Sequence, residues 1–477
     1  MKLQLSVLAA LLAGSATAVR PLTVKGGNFV NSAGDRFVIV GLAYQPGGWD
    51  YVASGYNPAS GKDPLSDPDI CLRDAAVMQR LGINTIRIYN VNPGVNHDMC
   101  MSIFNSVGIY VALDVNSPLD GESLHRNEPD SSYNEDYMKR IYSVVDAFKG
   151  YPNLLGFFAG NEVVNDVLSA SLVPPYIRAI QRDLKNYIAK HASRTIPVGY
   201  SAADDPTRRP MWAYLSCGDD ADSRSDFYGL NSYQWCGDST WESSGYQGLV
   251  DTFKNTSIPL FFSEFGCNRI RPRPFGEIAA LYGERMISSW SGGLVYEYSQ
   301  EKSDYGIVQI DDNGDARLLK DFDNLQGQYN NINLDLIKTK SPSTTTAQHP
   351  KCEDTFILQG HSDKFNTSTT LPPNPATDLL EKGSGNTNVG KLVTVTQTKT
   401  PHKVYASTGV QIDGIEIKML KDDESNTPSG ENTSSTAASG GSSSSSGNSK
   451  KNTAGVVGVS TVLVVSVAVV AGFLGLA

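Results

Sequence analysis

The sequence predicts an α/β chain: a (β/α)8 barrel of the TIM type followed by a small β-rich domain. Three observations carry that expectation. Short apolar, β-branched or aromatic runs recur eight times between about residues 22 and 325, and amphipathic stretches of helical period lie between many of them. No Gly-x-Gly-x-x-Gly follows the first run, so a doubly wound dinucleotide fold lacks its phosphate loop.

Taken in order, the chain opens with Met1-Lys2, an apolar stretch from Leu3 to about Ala13, and the small-x-small site Ala16-Thr17-Ala18. Residues 1–18 therefore read as a secretory signal peptide. The candidate strands are 37–44, 85–89, 109–114, 154–162, 196–201, 227–233, 260–264 and 293–298. Several are apolar on both faces, as strands between a barrel interior and an outer ring of helices must be. Stretches 69–80 and 137–148 carry helix patterns, and the barrel is expected over 19–330. Beyond Tyr329 the composition shifts to Thr, Ser, Asn and Pro, and alternating stretches at 391–396 and 409–418 suggest a β-rich module over 331–420.

Residues 421–453, rich in Ser, Gly and Thr, read as a flexible, O-glycosylated stalk. Residues 454–477 form an uncharged apolar run long enough to cross a bilayer. No basic flank follows it, and small residues with a short polar spacer precede it, which is the layout of a glycosylphosphatidylinositol signal with attachment at Gly447 or Asn448. A retained transmembrane helix is the alternative, disfavoured by the missing flank.

A net charge of −10 and a pI near 5.2 argue against nucleic acid as partner. The six cysteines, Cys71, Cys100, Cys217, Cys236, Cys267 and Cys352, read as disulfides in a secreted chain, with 15 possible connectivities. Their wide spacing disfavours zinc. Sequons at Asn255, Asn366 and Asn432 add a eukaryotic secretory signature.

Two glutamates carry the chemistry. Glu162 ends the fourth run and Glu264 the seventh, so in a parallel barrel both stand on the catalytic face at the C-terminal strand tips. A retaining glycosidase needs two carboxyl groups about 5 to 5.5 Å apart, one acid and one nucleophile. The competing reading of Glu162 is a surface residue opening the next helix. Tyr89, Trp235, Tyr296 and Tyr298 fall at or near strand tips, where aromatic rings either stack on sugars or pack the core. No His-Glu-x-x-His, Gly-x-Ser-x-Gly or Walker sequence occurs, so neither metal nor cofactor is expected.

The Asn161-Glu162 pair resembles the motif of a large barrel superfamily of retaining glycosidases, with acid/base on strand four and nucleophile on strand seven. In that superfamily a tyrosine placed as Tyr233 is here hydrogen-bonds the nucleophile. Gly41-Leu-Ala-Tyr-Gln-Pro46, Asn84-Thr-Ile-Arg-Ile-Tyr89, Phe158-Ala-Gly-Asn-Glu162, Pro197-Val-Gly-Tyr-Ser201, Phe262-Ser-Glu-Phe-Gly-Cys267 and Gly293-Leu-Val-Tyr-Glu-Tyr298 narrow the likeness. They closely resemble the fungal glycolipid-anchored surface proteins of glycoside hydrolase family 72, over roughly residues 20 to 420.

That resemblance implies a β-1,3-glucanosyltransferase that remodels cell-wall glucan, with Glu162 as acid/base and Glu264 as nucleophile. It implies sugar contacts at Tyr89, Asn161, Asp204, Arg209 and Tyr296, and a donor-site loop at Ser123-Leu-His-Arg126, where the family usually has Ser-Ile-Asn-Arg. A local salt bridge is the other reading of Asp204 and Arg209. The family pairing joins Cys71 to Cys100, Cys236 to Cys267 and Cys217 to Cys352, and only Cys352 lies beyond Cys267, so a further cysteine-rich glucan-binding module is not expected. The implied partners are glucan donor and acceptor chains and, through the lipid, the outer face of the plasma membrane, for a monomer. The rivals are a hydrolytic endo-β-1,3-glucanase and a wall protein that binds glucan without catalysis.

Overall fold

The computed structural model describes residues 19–47, 63–206, 209–338, 348–352 and 370–429. The expected signal peptide and lipid signal, all but the first residues of the stalk, and Asn366, Asn432, Gly447 and Asn448 lie outside the described residues.

Eight parallel strands close into a barrel: β1 (Ile39–Ala43), β2 (Thr85–Ile88), β3 (Tyr110–Asp114), β4 (Leu154–Asn161), β5 (Val198–Ala203), β6 (Tyr228–Asn231), β7 (Leu260–Phe265) and β8 (Gly292–Val295). Each pairs with its successor and β8 pairs with β1. All eight expected strands are present with ends shifted by a few residues: most stop short at the tip, whereas β5 and β7 run on to Ala203 and Phe265.

The two apolar faces of the strands fill two cores. Val40, Leu42, Ile86 and Val111 pack outward against the helices. Ile39, Ala112, Phe158, Phe227 and Phe261 pack inward, and Phe29 of the N-terminal hairpin closes the barrel floor against the last two rings. Aromatic rings fill this floor, and both glutamates stand at the opposite, C-terminal end, where a cleft opens.

The sequence explains where the helices begin. Asp67 caps helix Pro68–Leu81, its carboxylate accepting from the N–H groups of Asp69 and Ile70 at 3.0 and 3.3 Å, and Gly82 ends it with φ +76°. Asn134 caps helix Glu135–Phe148 through the Tyr137 N–H. Tyr298, weighed above as a sugar platform, is buried: its hydroxyl donates to Asp74, which also holds Tyr44 and Arg73. Trp235 is likewise packed in the core against Tyr246.

Among the described residues, the chain beyond the barrel holds less β structure than its alternation suggests. Residues 404–405 join strands Val308–Ile310 and Ala316–Leu318 in a three-stranded sheet. Stretch 391–396 forms no strand, and 409–418 makes only isolated bridges at Gln411 and Glu416. Polar groups of the barrel's outer helices take up this backbone instead. Lys391 N–H donates to Asp98 Oδ1 at 2.9 Å, Val393 N–H to Ser102 Oγ at 2.8 Å and Leu420 N–H to Ser106 O at 2.9 Å. Alternation in this segment therefore reflects an extended strap with one side on the barrel, and it belongs to the same compact unit as the barrel.

Disulfides join Cys71 to Cys100, Cys217 to Cys352 and Cys236 to Cys267, the pairing the resemblance implied. The Cys217–Cys352 bond closes a loop of 135 residues. Replacing both cysteines by serine is expected to lower the unfolding free energy by about 2–5 kcal/mol in a denaturant titration, because the open chain regains the entropy of that long loop. A loss below about 0.5 kcal/mol would show that noncovalent packing alone holds the segment.

Candidate active site

Arg87 is the charged residue inside the apolar run of β2, and it faces into the barrel fully buried. Its Nε and Nη2 donate to the two oxygens of Asp114 at the end of β3, at 2.9 and 3.1 Å. Its Nη1 reaches Ser201 Oγ on β5 at 3.2 Å and Glu264 Oε1 on β7 at 3.3 Å. Burial disfavours the guanidinium charge, but Asp114, Tyr89 and Glu264 outweigh it and hold its pKa above the ordinary value. One buried cation thus joins four strands beneath the cleft.

Both oxygens of Glu264 are occupied by donors. Tyr89 hydroxyl donates to Oε1 at 3.0 Å and Tyr233 hydroxyl to Oε2 at 2.8 Å. Burial pushes this carboxyl up to about 7; Arg87 opposes that, the nearby Glu162 carboxylate adds to it, and the two tyrosine hydrogen bonds lower it.

Glu162 stands one residue past β4, its N–H bonded to Ser201 O at 2.8 Å and its backbone in the left-handed region at φ +48°. A non-glycine residue held there costs about 1–3 kcal/mol, which the continuing β4–β5 ladder offsets. Asn231 on β6 donates from Nδ2 to Glu162 Oε1 at 2.7 Å and to Asn161 Oδ1 at 3.1 Å. Ser201 and Ser263 hydroxyls donate to Asn231 Oδ1 at 3.1 and 2.7 Å, which fixes the way the amide faces. Gly229 makes room for Ser263: a Cβ there would stand 2.6 Å from its hydroxyl.

Among the described residues Glu264 accepts from three donors and the Glu162 side chain from one, and the three donors favour a charged carboxylate at Glu264 against the burial that pushes it up.

The two glutamates line one cleft of about 420 Å³. Tyr89, Asn161, Ser123, Arg126 and Tyr296 line it with them, and Arg126 Nη2 reaches Glu162 O at 3.4 Å. Tyr233 reaches the site through its hydroxyl. Asp204 and Arg209 do not line this cleft: the Asp204 carboxylate takes Arg209 Nε at 2.9 Å, Ser232 Oγ at 2.7 Å and Gln234 Nε2. The two form the ion pair that was one of their two readings. Asn255 is exposed, as a glycan acceptor must be. Among the described residues no group of three or more His, Cys, Asp or Glu gathers as metal ligands.

Sequence reasoning missed Arg87, Asp114, Asn231, Ser201 and Ser263, which connect the site from below. A signal for the first existed, since a lone arginine inside an apolar strand needs a buried partner. The serines and asparagine carry no such mark.

A family model described as Glucanosyltransferase, glycoside hydrolase 72, matches residues 11–333. Similar proteins include 1,3-beta-glucanosyltransferase gel2 of Aspergillus fumigatus, 53% identical over 426 residues that cover 88% of each chain. 1,3-beta-glucanosyltransferase GAS4 of Saccharomyces cerevisiae is 45% identical over 369 residues, 76% of each chain. Among solved structures, a Glu-to-Gln variant of S. cerevisiae Gas2p in complex with laminaritetraose and laminaripentaose is 39% identical, covers 76% of each chain and superposes with a TM-score of 0.65.

Tyr233→Phe removes a donor that favours the Glu264 carboxylate, so the carboxyl should titrate higher than in the unaltered protein. A bond to a charged group is worth about 1.5–3 kcal/mol, which corresponds to roughly 1–2 pH units. Infrared titration, with Glu264→Gln to assign the band, checks this; an unmoved or lowered midpoint contradicts it.

Proposed function

The chain belongs to the glucanosyltransferases of glycoside hydrolase family 72, and on that premise we propose that it is a retaining β-1,3-glucanosyltransferase that elongates and remodels fungal cell-wall glucan. The observation that carries this reading is the Glu264 carboxyl, which accepts from three donors and faces the same cleft as Glu162.

In the first step Glu264 attacks the anomeric carbon of an internal β-1,3 linkage. The glycosidic C–O bond breaks, Glu162 protonates the departing O3, and the reducing-side fragment leaves. The donor fragment stays as an ester on Glu264. In the second step Glu162, now a carboxylate steadied by the Asn231 amide, takes the proton of the 3-hydroxyl at the non-reducing end of an acceptor glucan. The new β-1,3 bond forms as the ester breaks, and both glutamates return to their starting states.

Asn161 fits the contact to the donor's 2-hydroxyl. Its Oδ1 is taken by Asn231, so its Nδ2 remains to donate, and this bond strengthens as positive charge develops at the anomeric carbon. Tyr89 and Tyr296, edge to face with centroids 6.3 Å apart, offer aromatic walls, while Ser123 and Arg126 supply polar contacts from the loop after β3.

Water is the more abundant acceptor, so transfer needs subsites that hold a sugar in attack geometry at high effective molarity. The names of the relatives support transfer over hydrolysis. The signal peptide, the lipid signal at Gly447 or Asn448 and the exposed sequon at Asn255 support a place at the outer face of the plasma membrane.

Incubation with a reduced laminari-oligosaccharide should yield products longer than the substrate, read by mass spectrometry. Products only shorter than it would reassign the enzyme as a glucanase. Glu162→Gln and Glu264→Gln should each lower the transfer rate by about 10²–10⁴-fold or more with the fold intact. Retention of more than about a tenth of the rate in either would remove that residue from its role.

A further inference from the structure

A third carboxyl reaches the cleft. Glu297 follows Tyr296 just beyond β8, is 4% exposed and lines the same cavity as Glu264, Tyr296 and Gln45. Nothing in the two-step transfer uses it. Its backbone is pinned, with N–H to Tyr305 O at 3.1 Å and its carbonyl accepting from Ile307 N–H at 3.2 Å, so its side chain is carried on a fixed frame.

The charges that act on it most are acidic, Glu301 on its own loop and Glu264 on β7. Its side chain accepts from Ser303 Oγ at 3.3 Å and from the Tyr296 side chain, and Tyr305 packs edge to face on Tyr296. Arg87 and Arg273 are committed to other groups. Arg87 is shared by Asp114 and Glu264, and Arg273 bonds Asp321 and the carbonyls of Gly266, Tyr296 and Tyr305. Desolvation, and then the two acidic neighbours against the two hydroxyls, push this carboxyl up to about 8.

We propose that Glu297 is a substrate-binding residue that enters the cleft as a neutral carboxylic acid and donates a hydrogen bond to a hydroxyl of the glucan bound against Tyr296. A carboxylate there can only accept, whereas the acid supplies a donor on a wall whose tyrosine is already engaged. Ionisation both removes that donor and places a second negative charge beside the nucleophile. The inference rests on the β-1,3-glucan reading of the cleft.

The test compares the full chain with Glu297→Gln and Glu297→Ala, measuring KM for a laminari-oligosaccharide donor between about pH 5 and 9. In the unaltered enzyme KM should rise as the acid ionises. Glutamine keeps a neutral donor of the same shape, so the rise in KM that follows Glu297 ionisation should be missing. Alanine should raise KM by about 3- to 10-fold at every pH, the worth of one such bond. The proposal is overturned if glutamine behaves like alanine, or if glutamine and glutamate share one KM–pH profile. Should the alanine variant fail to fold, the glutamine comparison still decides. A wild-type enzyme that does not act on the oligosaccharide at all would instead sink the glucan reading, and this inference with it.

Discussion

The site depends on one buried cation. Arg87 has no solvent to stabilise it, so its charge must be met by protein groups, and the groups that meet it come from separate strands: Asp114 from β3, Ser201 from β5 and Glu264 from β7. A buried guanidinium left without partners would cost several kcal/mol, so the strand ends are constrained to converge on it. The same cation opposes the burial that pushes the Glu264 carboxyl up to about 7. Charge balance beneath the cleft therefore constrains its geometry and acts on the ionisation of Glu264.

The two glutamates differ in the donors they meet among the described residues. Glu264 accepts from Arg87, Tyr89 and Tyr233, and the Glu162 side chain accepts from the Asn231 amide. Asn231 is oriented by two hydroxyls and divides its two donors' reach between Glu162 and Asn161. Glu162, Glu264 and the Asn231 amide thus lie on one continuous network that runs through Ser201 back to Arg87.

Much of this was legible in the sequence because barrel strands are apolar on both faces and their tips break that pattern. Glu162 and Glu264 stood out as carboxylates ending such runs, and strand counting placed them correctly at β4 and β7. The segment beyond the barrel was less legible. Alternation at 391–396 and 409–418 marks one buried side, and a strap bonded to helix side chains has the same pattern as a strand in a sheet. Asp204 and Tyr298 show the same limit. Proximity to a strand tip does not say whether a side chain turns to the cleft or into a network such as Arg209 or Asp74 provides.

The central claim is that Glu264 forms the covalent bond to the donor. A 2-fluoro laminaribiosyl fluoride, which slows breakdown of the ester more than its formation, should trap that intermediate, and mass spectrometry of the digested protein should find the sugar on the peptide containing Glu264. Glu162→Gln should still accumulate the label, since the fluoride leaves without an acid. A label on another residue, or steady release of fluoride with no label on Glu264, would contradict the account.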